Sequence, residues 1–427
     1  MTIDDEVDRL IDQRPGKELM VPRYDEPAHR VTEFLYRSGG TTAAYCLLTD
    51  RSRVIVNTGM GYEAPHHKRM FDAVRSGPTP YVMSTQAHVD HVGGVHLFRA
   101  PDTVYVAQEN NLACQRDDER IRQLRFRTAG IWFDMTGRDA TRIAAENPGV
   151  SMRQDAPVPD VTFRERLDLE VDGLVLELIA SVGETIDSMI VWLPEHRIAL
   201  ISNLLGPLFP HFPNLNTLRG DRYRLVEPYL ESVRRLRGLR PEMLVTGRHE
   251  PIVGAELIDA SLARLHDAVD WVHRQTLDGM NAGSDLWTLM HAIRLPPHLR
   301  VGQGYGTVPW AVRTIWETYV GWFKLQSTTE LYADRHVDAL ALLVESVGVD
   351  GACDRGRRAL GAGDAVVAIL LAEGVLAVDS DHSGAARLVV DAHQQLLDAG
   401  GDVSFWESGW LEAERRRWEE RAERPPQ

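Results

Sequence analysis

The chain has 427 residues, 44% of them apolar and 26% charged, and a net charge of −15. That length exceeds one ordinary core and points to two or three domains, while the acidic balance argues against a general nucleic-acid or anionic-membrane binder. Three widely spaced cysteines (Cys46, Cys114, Cys353) make no disulfide framework and no zinc knuckle, and fit a reducing, cytoplasmic setting.

Residues 1 to about 30 are polar and read as an arm or a short leading helix. The N-terminus is acidic, without a basic start and apolar core, so no secretory signal is expected. Ala44–Leu48 and Val54–Val56 are short apolar runs closed by turn residues, the pattern of strands. His66 to Ser76 reads as a helix. Tyr81–Thr85 reads as a buried strand that delivers the loop Gln86-Ala-His88-Val-Asp90-His91-Val-Gly93-Gly94. The charged, helical stretch from about 108 to 150 looks like an insertion that walls a pocket. Leu167–Leu178 alternates like one amphipathic strand. Met189–Leu193 and Ile198–Ile201 flank a Pro-Glu-His-Arg turn and read as a hairpin. Leu225–Leu239 has helical periodicity, and Met243–Val245 is a last strand. Alternation of this kind predicts an α/β layered domain. Beyond about 258 the chain is almost all helix, with paired Ala/Leu-rich segments at Ala365–Val378 and Ala385–Ala399 and a charged helical tail at Glu412–Arg424. No window approaches the roughly 20 apolar residues that span a bilayer, so no membrane insertion is expected.

The informative pattern is His88-X-Asp90-His91-X-Gly93-Gly94 after a buried strand. Two imidazoles and a carboxylate within four residues converge when a cation holds them. Such ligands suit zinc, iron or manganese. The paired glycines let the backbone turn closely into the next helix.

This loop resembles the His-X-His-X-Asp-His signature of the metallo-β-lactamase superfamily, and the likeness extends to its alkylsulfatase-like branch. Val182-Gly183-Glu184 is similar to that branch's Gly-Thr-Glu, whose Glu is a metal ligand. Asn214-Leu-Asn-Thr-Leu-Arg219-Gly220 is similar to its Asn-Leu-Tyr-Thr-Leu-Arg-Gly, whose Asn and Arg face the sulfate. Tyr305-Gly-Thr-Val308 and Tyr319-Val-Gly-Trp-Phe323 are similar to its helical dimerisation domain. The resemblance implies a metallo-β-lactamase αββα sandwich over 1–257, with the insertion at about 108–150, and an all-α alkylsulfatase-type dimerisation domain over 258–427. It implies metal ligands His88, Asp90, His91, Glu184 and His249, and a cofactor of one or two zinc ions, with iron or manganese as alternatives. The branch's secretory leader and its sterol-carrier-like C-terminal domain are not expected in this chain.

The departures are as informative. Gln86 stands where the first metal-binding His is expected, and a neutral amide is a weak ligand. Asn203 stands where the branch has a bridging Glu, and it cannot supply the negative charge that holds two cations together. At Thr246-Gly-Arg248-His249-Glu-Pro251 either Arg248 or His249 falls in the last ligand slot. Arg cannot ligate a metal, which favours His249.

The resulting expectation is a metal-dependent hydrolase that turns metal-activated water on a small anionic ester or related substrate. Asp90 would orient the nucleophile and His211 would carry a proton. Asn214 and Arg219, with Gln86 and Asn203, would contact the substrate. An iron-dependent redox enzyme on the same scaffold, or a metal-poor binding protein, are the alternatives. A homodimer is expected, with Trp310, Trp316, Tyr319, Trp322 and Phe323 supplying aromatic surface.

Overall fold

The structure, a computed structural model, describes residues 2–333, 335–401 and 403–423. The chain forms two compact units, Met1–Tyr319 and Val320–Gln427.

In the first unit, seven strands run in sequence order across one sheet: β1 (His29–Arg30), β2 (Leu35–Ser38), β3 (Ala44–Leu48), β4 (Arg53–Val56), β5 (Tyr81–Met83), β6 (Val104–Gln108) and β7 (Val161–Phe163). Six more form the second sheet: β8 (Arg166–Val171), β9 (Leu174–Ala180), β10 (Met189–Leu193), β11 (Ile198–Ser202), β12 (Met243–Thr246) and β13 (Ile252–Val253). Strand alternation decides the layering. Tyr45, Leu47, Val54 and Val56 from the first sheet meet Val191, Leu193, Leu200 and Val245 from the second in one buried core. The intervening Ala44, Cys46 and Ile55 face the other way, onto Met70 and Phe71 of the helix Ala64–Val74. The helices Val226–Leu239 and Ala255–Asn281 flank the second sheet. The result is the expected αββα sandwich. β3 is buried on both faces, which is why it reads as an unbroken apolar run.

One element differs from the sequence reading. Leu167–Leu178 is not one strand but the hairpin β8–β9, turned at Asp172 (φ +50°) and Gly173 (φ +87°). Asp-Gly with two positive φ values is a two-residue hairpin turn whose twist suits the flanking strands. The stretch around 108–150 is helical as expected, with helices at Asn111–Arg120, Arg122–Trp132 and Thr136–Glu146. The leading segment is the helix Ile3–Asp12, whose first turn is closed by a reciprocal Thr2–Asp5 capping box.

The second unit is all helix: His336–Val347, Val349–Gly361, Ala365–Val378, Ser383–Leu396 and Phe405–Ala422. Its core joins Val344, Cys353, Ala368, Ala372, Val375, Leu388 and Ala392. Alanines at the crossings let these helices approach closely. Residue 424, the end of the expected charged tail, lies outside the described residues. Among the described residues, no helix is long and apolar enough to cross a membrane.

Candidate metal centre

The loop after β5 is fixed before any cofactor is considered. Asn57, at the end of β4 with φ +60°, accepts from the Thr85 N–H (2.9 Å) and hydroxyl (3.1 Å), and its amide donates to Ser202 Oγ at the end of β11 (3.2 Å). One side chain thereby ties the ends of both sheets together. The two glycines closing the loop are required by space. A Cβ on Gly94 would lie 2.1 Å from Ala64 Cβ, and one on Gly93 would lie 2.5 Å from the Gly61 nitrogen.

Thr85 gives its hydroxyl proton to Asn57, so His91 donates to Thr85 through Nδ1 (3.2 Å) and keeps its Nε2 lone pair inward. Burial pushes the His91 pKa down, which keeps the ring neutral. The Gln86 amide NH2 donates to that Nε2 at 2.7 Å and to Glu184 Oε2 at 3.0 Å. Asn203 Nδ2 lies 3.5 Å from the same Nε2 and donates to Thr42 Oγ1 at 3.1 Å. Thr42 in turn donates to Asp90 Oδ2, which lies 3.8 Å from His91 Nε2. Burial raises the Asp90 pKa, but His91, His88 and the Thr42 hydroxyl outweigh it and hold the carboxyl below its usual range.

His88 sits between two carboxylates, with Nδ1 3.6 Å from Glu184 Oε2 and Nε2 3.1 Å from Asp221 Oδ2. Burial opposes its charging. Asp221 and Glu184 overcome that and raise its pKa to about 9. Glu184 is further held by the Tyr305 hydroxyl (2.8 Å) and by Arg224 Nη1 (3.3 Å). Burial raises the Glu184 pKa, but Arg224 and His88 keep it far below the carboxylate range. Arg219 Nη2 stands 3.5 Å from His88 Nε2 and 3.9 Å from Asp221 Oδ2.

The structure therefore gathers Gln86, His88, Asp90, His91, Glu184, Asn203 and Arg219 into one cluster. Asn214 lies in the same loop as Arg219, buried, with its carbonyl accepting from Arg224 Nη1. His211 and His249 are not drawn into the cluster. The His211 ring is closed at both nitrogens: Nε2 donates to the Arg14 carbonyl, and Nδ1 accepts from the Gly304 N–H. Burial lowers its pKa to about 4, so it is a neutral packing group in this geometry. His249, with φ +65°, faces a cavity of about 630 Å³ also lined by Arg14, Arg23 and Arg37. After burial, Arg14, Arg248, Arg23 and Arg37 are the charges that depress its pKa, to about 3. On Arg248 the leading charges are Asp90 and Glu63, with Glu184 behind them. Arg248 lines the same cavity as His249, and its Nη1 donates to the Met20 carbonyl at 2.8 Å.

Sequence reasoning missed Asp221, Arg224 and Thr42, and it read Tyr305 only as part of a helical motif. Asp221 and Arg224 follow Arg219 by two and five residues, and that charged run was the available signal.

Among the described residues, no three His, Cys, Asp or Glu side chains are grouped as a ready-made metal site. The donors come instead as two pairs, His88 with Glu184 and Asp90 with His91, and the Gln86 amide lies between them. Its electropositive NH2 occupies the point where an imidazole lone pair and a carboxylate converge, which is where a cation would sit. Donor separations of 3.0 to 3.6 Å around Glu184 Oε2 also match the edges of a four-coordinate shell with bonds of about 2.0–2.2 Å. The cluster thus fits one divalent ion once the amide is turned over.

Comparisons agree with this architecture. Residues 37–248 match the model of the metallo-β-lactamase superfamily, and residues 288–407 match the alkyl sulfatase dimerisation family. The chain belongs to the metallo-β-lactamase superfamily. The pairing of these two regions places it in the alkylsulfatase-like branch. It is 27% identical over 290 residues to the linear primary-alkylsulfatase of Pseudomonas sp. (strain ATCC 19151), covering 64% of this chain and 54% of that protein. It is 23% identical to the alkyl/aryl-sulfatase BDS1 of Saccharomyces cerevisiae, covering 56% of this chain and 38% of that protein. The structure of the stereoselective inverting sec-alkylsulfatase Pisa1 from Pseudomonas sp. superposes with a TM-score of 0.77 at 19% identity, over 93% of this chain and 66% of the other. The chain thus spans about half the length, or less, of these curated relatives. The superfamily implies a divalent metal.

Proposed function

We propose that the chain is a metal-dependent hydrolase of small anionic esters, with alkyl sulfates as the substrate class. The observation that carries this reading is the Arg219 guanidinium beside His88 and Asp221, an anion-binding group at the edge of the His/carboxylate cluster. His88, His91 and Glu184 would hold the ion, joined by Gln86 Oε1. The ion supplies Lewis acidity and an activated water near neutral pH. Zinc is the proposed metal, since a His/carboxylate set with one neutral amide suits it. The chain's own residues do the rest. Arg219 and Asn214 grip the ester's anionic end by charge-assisted hydrogen bonds. Arg224 and Tyr305 lock Glu184, so that its orientation costs nothing at the moment of reaction. Asp90, kept ionised, orients the water and takes its proton. His88 would have to be neutral to hold the ion, giving its proton to solvent.

The whole protein is proposed to be a cytoplasmic homodimer. The dimerisation-family match and three unpaired cysteines support this. The functional division is proposed at 257/258, where the helical half of the sequence begins. The direct test is release of inorganic sulfate from primary and secondary alkyl sulfates by zinc-loaded protein, and its loss on chelation. Sulfate release that survives chelation, or none from zinc-loaded protein, overturns the reading. Iron as the bound metal would favour the redox alternative.

A further inference from the structure

We propose that the cavity between the leading arm and the turn after β12 is a binding site for a small organic anion, one with a carboxylate head and an apolar body. None of the residues gathered into the metal cluster lines it, so the proposal does not rest on the hydrolase reading.

The cavity, about 630 Å³, draws guanidiniums from three parts of the chain: Arg14 and Arg23 from the arm, Arg37 from β2 and Arg248 from the turn. Arg14, Arg37 and Arg248 are 6%, 8% and 7% exposed. Three cations are thus withdrawn from water around one hollow, which is costly unless anions answer them. Two acids line the same walls, Asp25 and Glu250, and Arg37 engages both. Its Nε and Nη2 donate to Asp25 at 3.0 and 3.2 Å, and Nη2 donates to Glu250 Oε1 at 2.9 Å. Arg14 and Arg248 are left with neutral acceptors. Arg14 donates to the Phe209 and Glu250 carbonyls at 2.7 and 2.9 Å, and Arg248 to that of Met20. Arg248 Nε is buried and has no hydrogen-bond partner among the described residues. Protonation follows the pairing. Burial lowers the Arg14 pKa to about 10 and lowers that of Arg248, whereas on Arg37 the Asp25 carboxylate outweighs burial and raises it.

Four guanidiniums against two carboxylates leave two positive charges unanswered on these walls. An incoming carboxylate answers them through charge-assisted hydrogen bonds, for which the planar guanidinium fork is well shaped. The rest of the lining is mostly apolar, with Leu10 and Val21 from the arm and Ile252, Val253 and Leu257 from the far end of the domain's chain. Val21 and Val253 are 48% and 64% exposed, so a hydrocarbon body laid against them would take apolar surface out of water. The combination selects an anion that carries such a body over a bare inorganic one. An occupant held by Arg14 and Arg248 together would also fasten the arm to the sandwich.

The test is calorimetric titration of the full-length, metal-free protein with hexanoate, alongside inorganic sulfate (charge without a body) and hexylammonium (body with the wrong charge). Hexanoate is expected to bind one per chain and to raise Tm as its concentration rises. Sulfate should bind about tenfold or more weakly, because it leaves the apolar lining uncovered, and hexylammonium should not bind. Arg248→Gln and Arg23→Glu should each weaken hexanoate about tenfold or more, the size of one lost charged hydrogen bond. Arg219→Ala, which alters the metal cluster instead, should leave hexanoate affinity unchanged. Absence of saturable one-per-chain binding overturns the proposal, as does sulfate or hexylammonium binding as tightly as hexanoate. So does unchanged affinity in either folded cavity variant. Loss of binding in Arg219→Ala alone would put the anion at the metal cluster and overturn it as well. Should Arg248→Gln fail to fold, Arg23→Glu decides, since Arg23 is exposed.

Discussion

The two halves of the cluster are built from different materials. Around His88 and Glu184 every close partner bar one amide and one phenol is charged: Asp221, Arg224 and Arg219. Around His91 and Asp90 the partners in contact are neutral: Thr85, Gln86, Asn203 and Thr42. The first half is a buried ionic lattice in which removing one member strands another. The second is a chain of neutral hydrogen bonds, each worth roughly 1 kcal/mol net. A cation exchanged into this site disturbs the first half electrostatically and the second only by reorientation.

Glu184→Gln is the hardest blow to that contrast. It leaves the buried Arg224 with only Asp221, 3.9 Å away, as an anion, so a loss of about 3 kcal/mol in unfolding free energy is expected, read by urea denaturation of metal-free protein. A change below about 1 kcal/mol would mean that the ionic half is not what the geometry says. Asp221→Asn should come next. With its pKa raised to about 9 from 6.5, His88 holds a proton that the unfolded chain gives up above pH 6.5. The stability it adds to the metal-free protein is therefore present below about pH 6.5 and is lost as pH rises through about 9. Asp221→Asn should flatten that alkaline decline, lower the His88 pKa as followed by NMR, and cost about 2 kcal/mol at neutral pH. An unchanged His88 titration would refute the pairing. Thr42→Val is the mildest change. It removes the hydroxyl between Asn203 and Asp90 and should cost about 1 kcal/mol while leaving the His88 titration where it was. A shift there would show that the two halves are electrostatically one.

The legibility of this site follows sequence distance. Gln86 to Gly94 could be read because its donors, its strand and its two glycines are contiguous. The sandwich was readable for a similar reason, since the unbroken apolar runs of β3, β10 and β11 report burial on both faces locally. The partners that fix the protonation of the site come from afar: Asp221 lies 133 residues beyond His88, and Tyr305 lies 121 beyond Glu184. No local periodicity announces such a pairing. The Arg248/His249 ambiguity had the same origin. Spacing offers both residues to the slot, and in the fold both line the cavity shared with Arg14 and Arg37. The β8–β9 hairpin was missed although two signals were in plain view: Asp172-Gly173, and the shift of the apolar positions across it from Leu167, Leu169 and Val171 to Leu174, Leu176 and Leu178.

The leading arm has a bearing on how this protein can be handled. Arg14 donates to the carbonyls of Phe209 and Glu250, 195 and 236 residues further on. Met20 receives Arg248, and Arg264 reaches back to Asp4 and Asp8. The arm is a strap that ties the start of the chain to Phe209, Arg248, Glu250 and Arg264. A protease nick or a deletion within its first twenty residues would release the guanidinium at Arg248 without touching a single metal donor. Trimming the N-terminus as a dispensable tail would strand Arg248 and Arg264 without these partners.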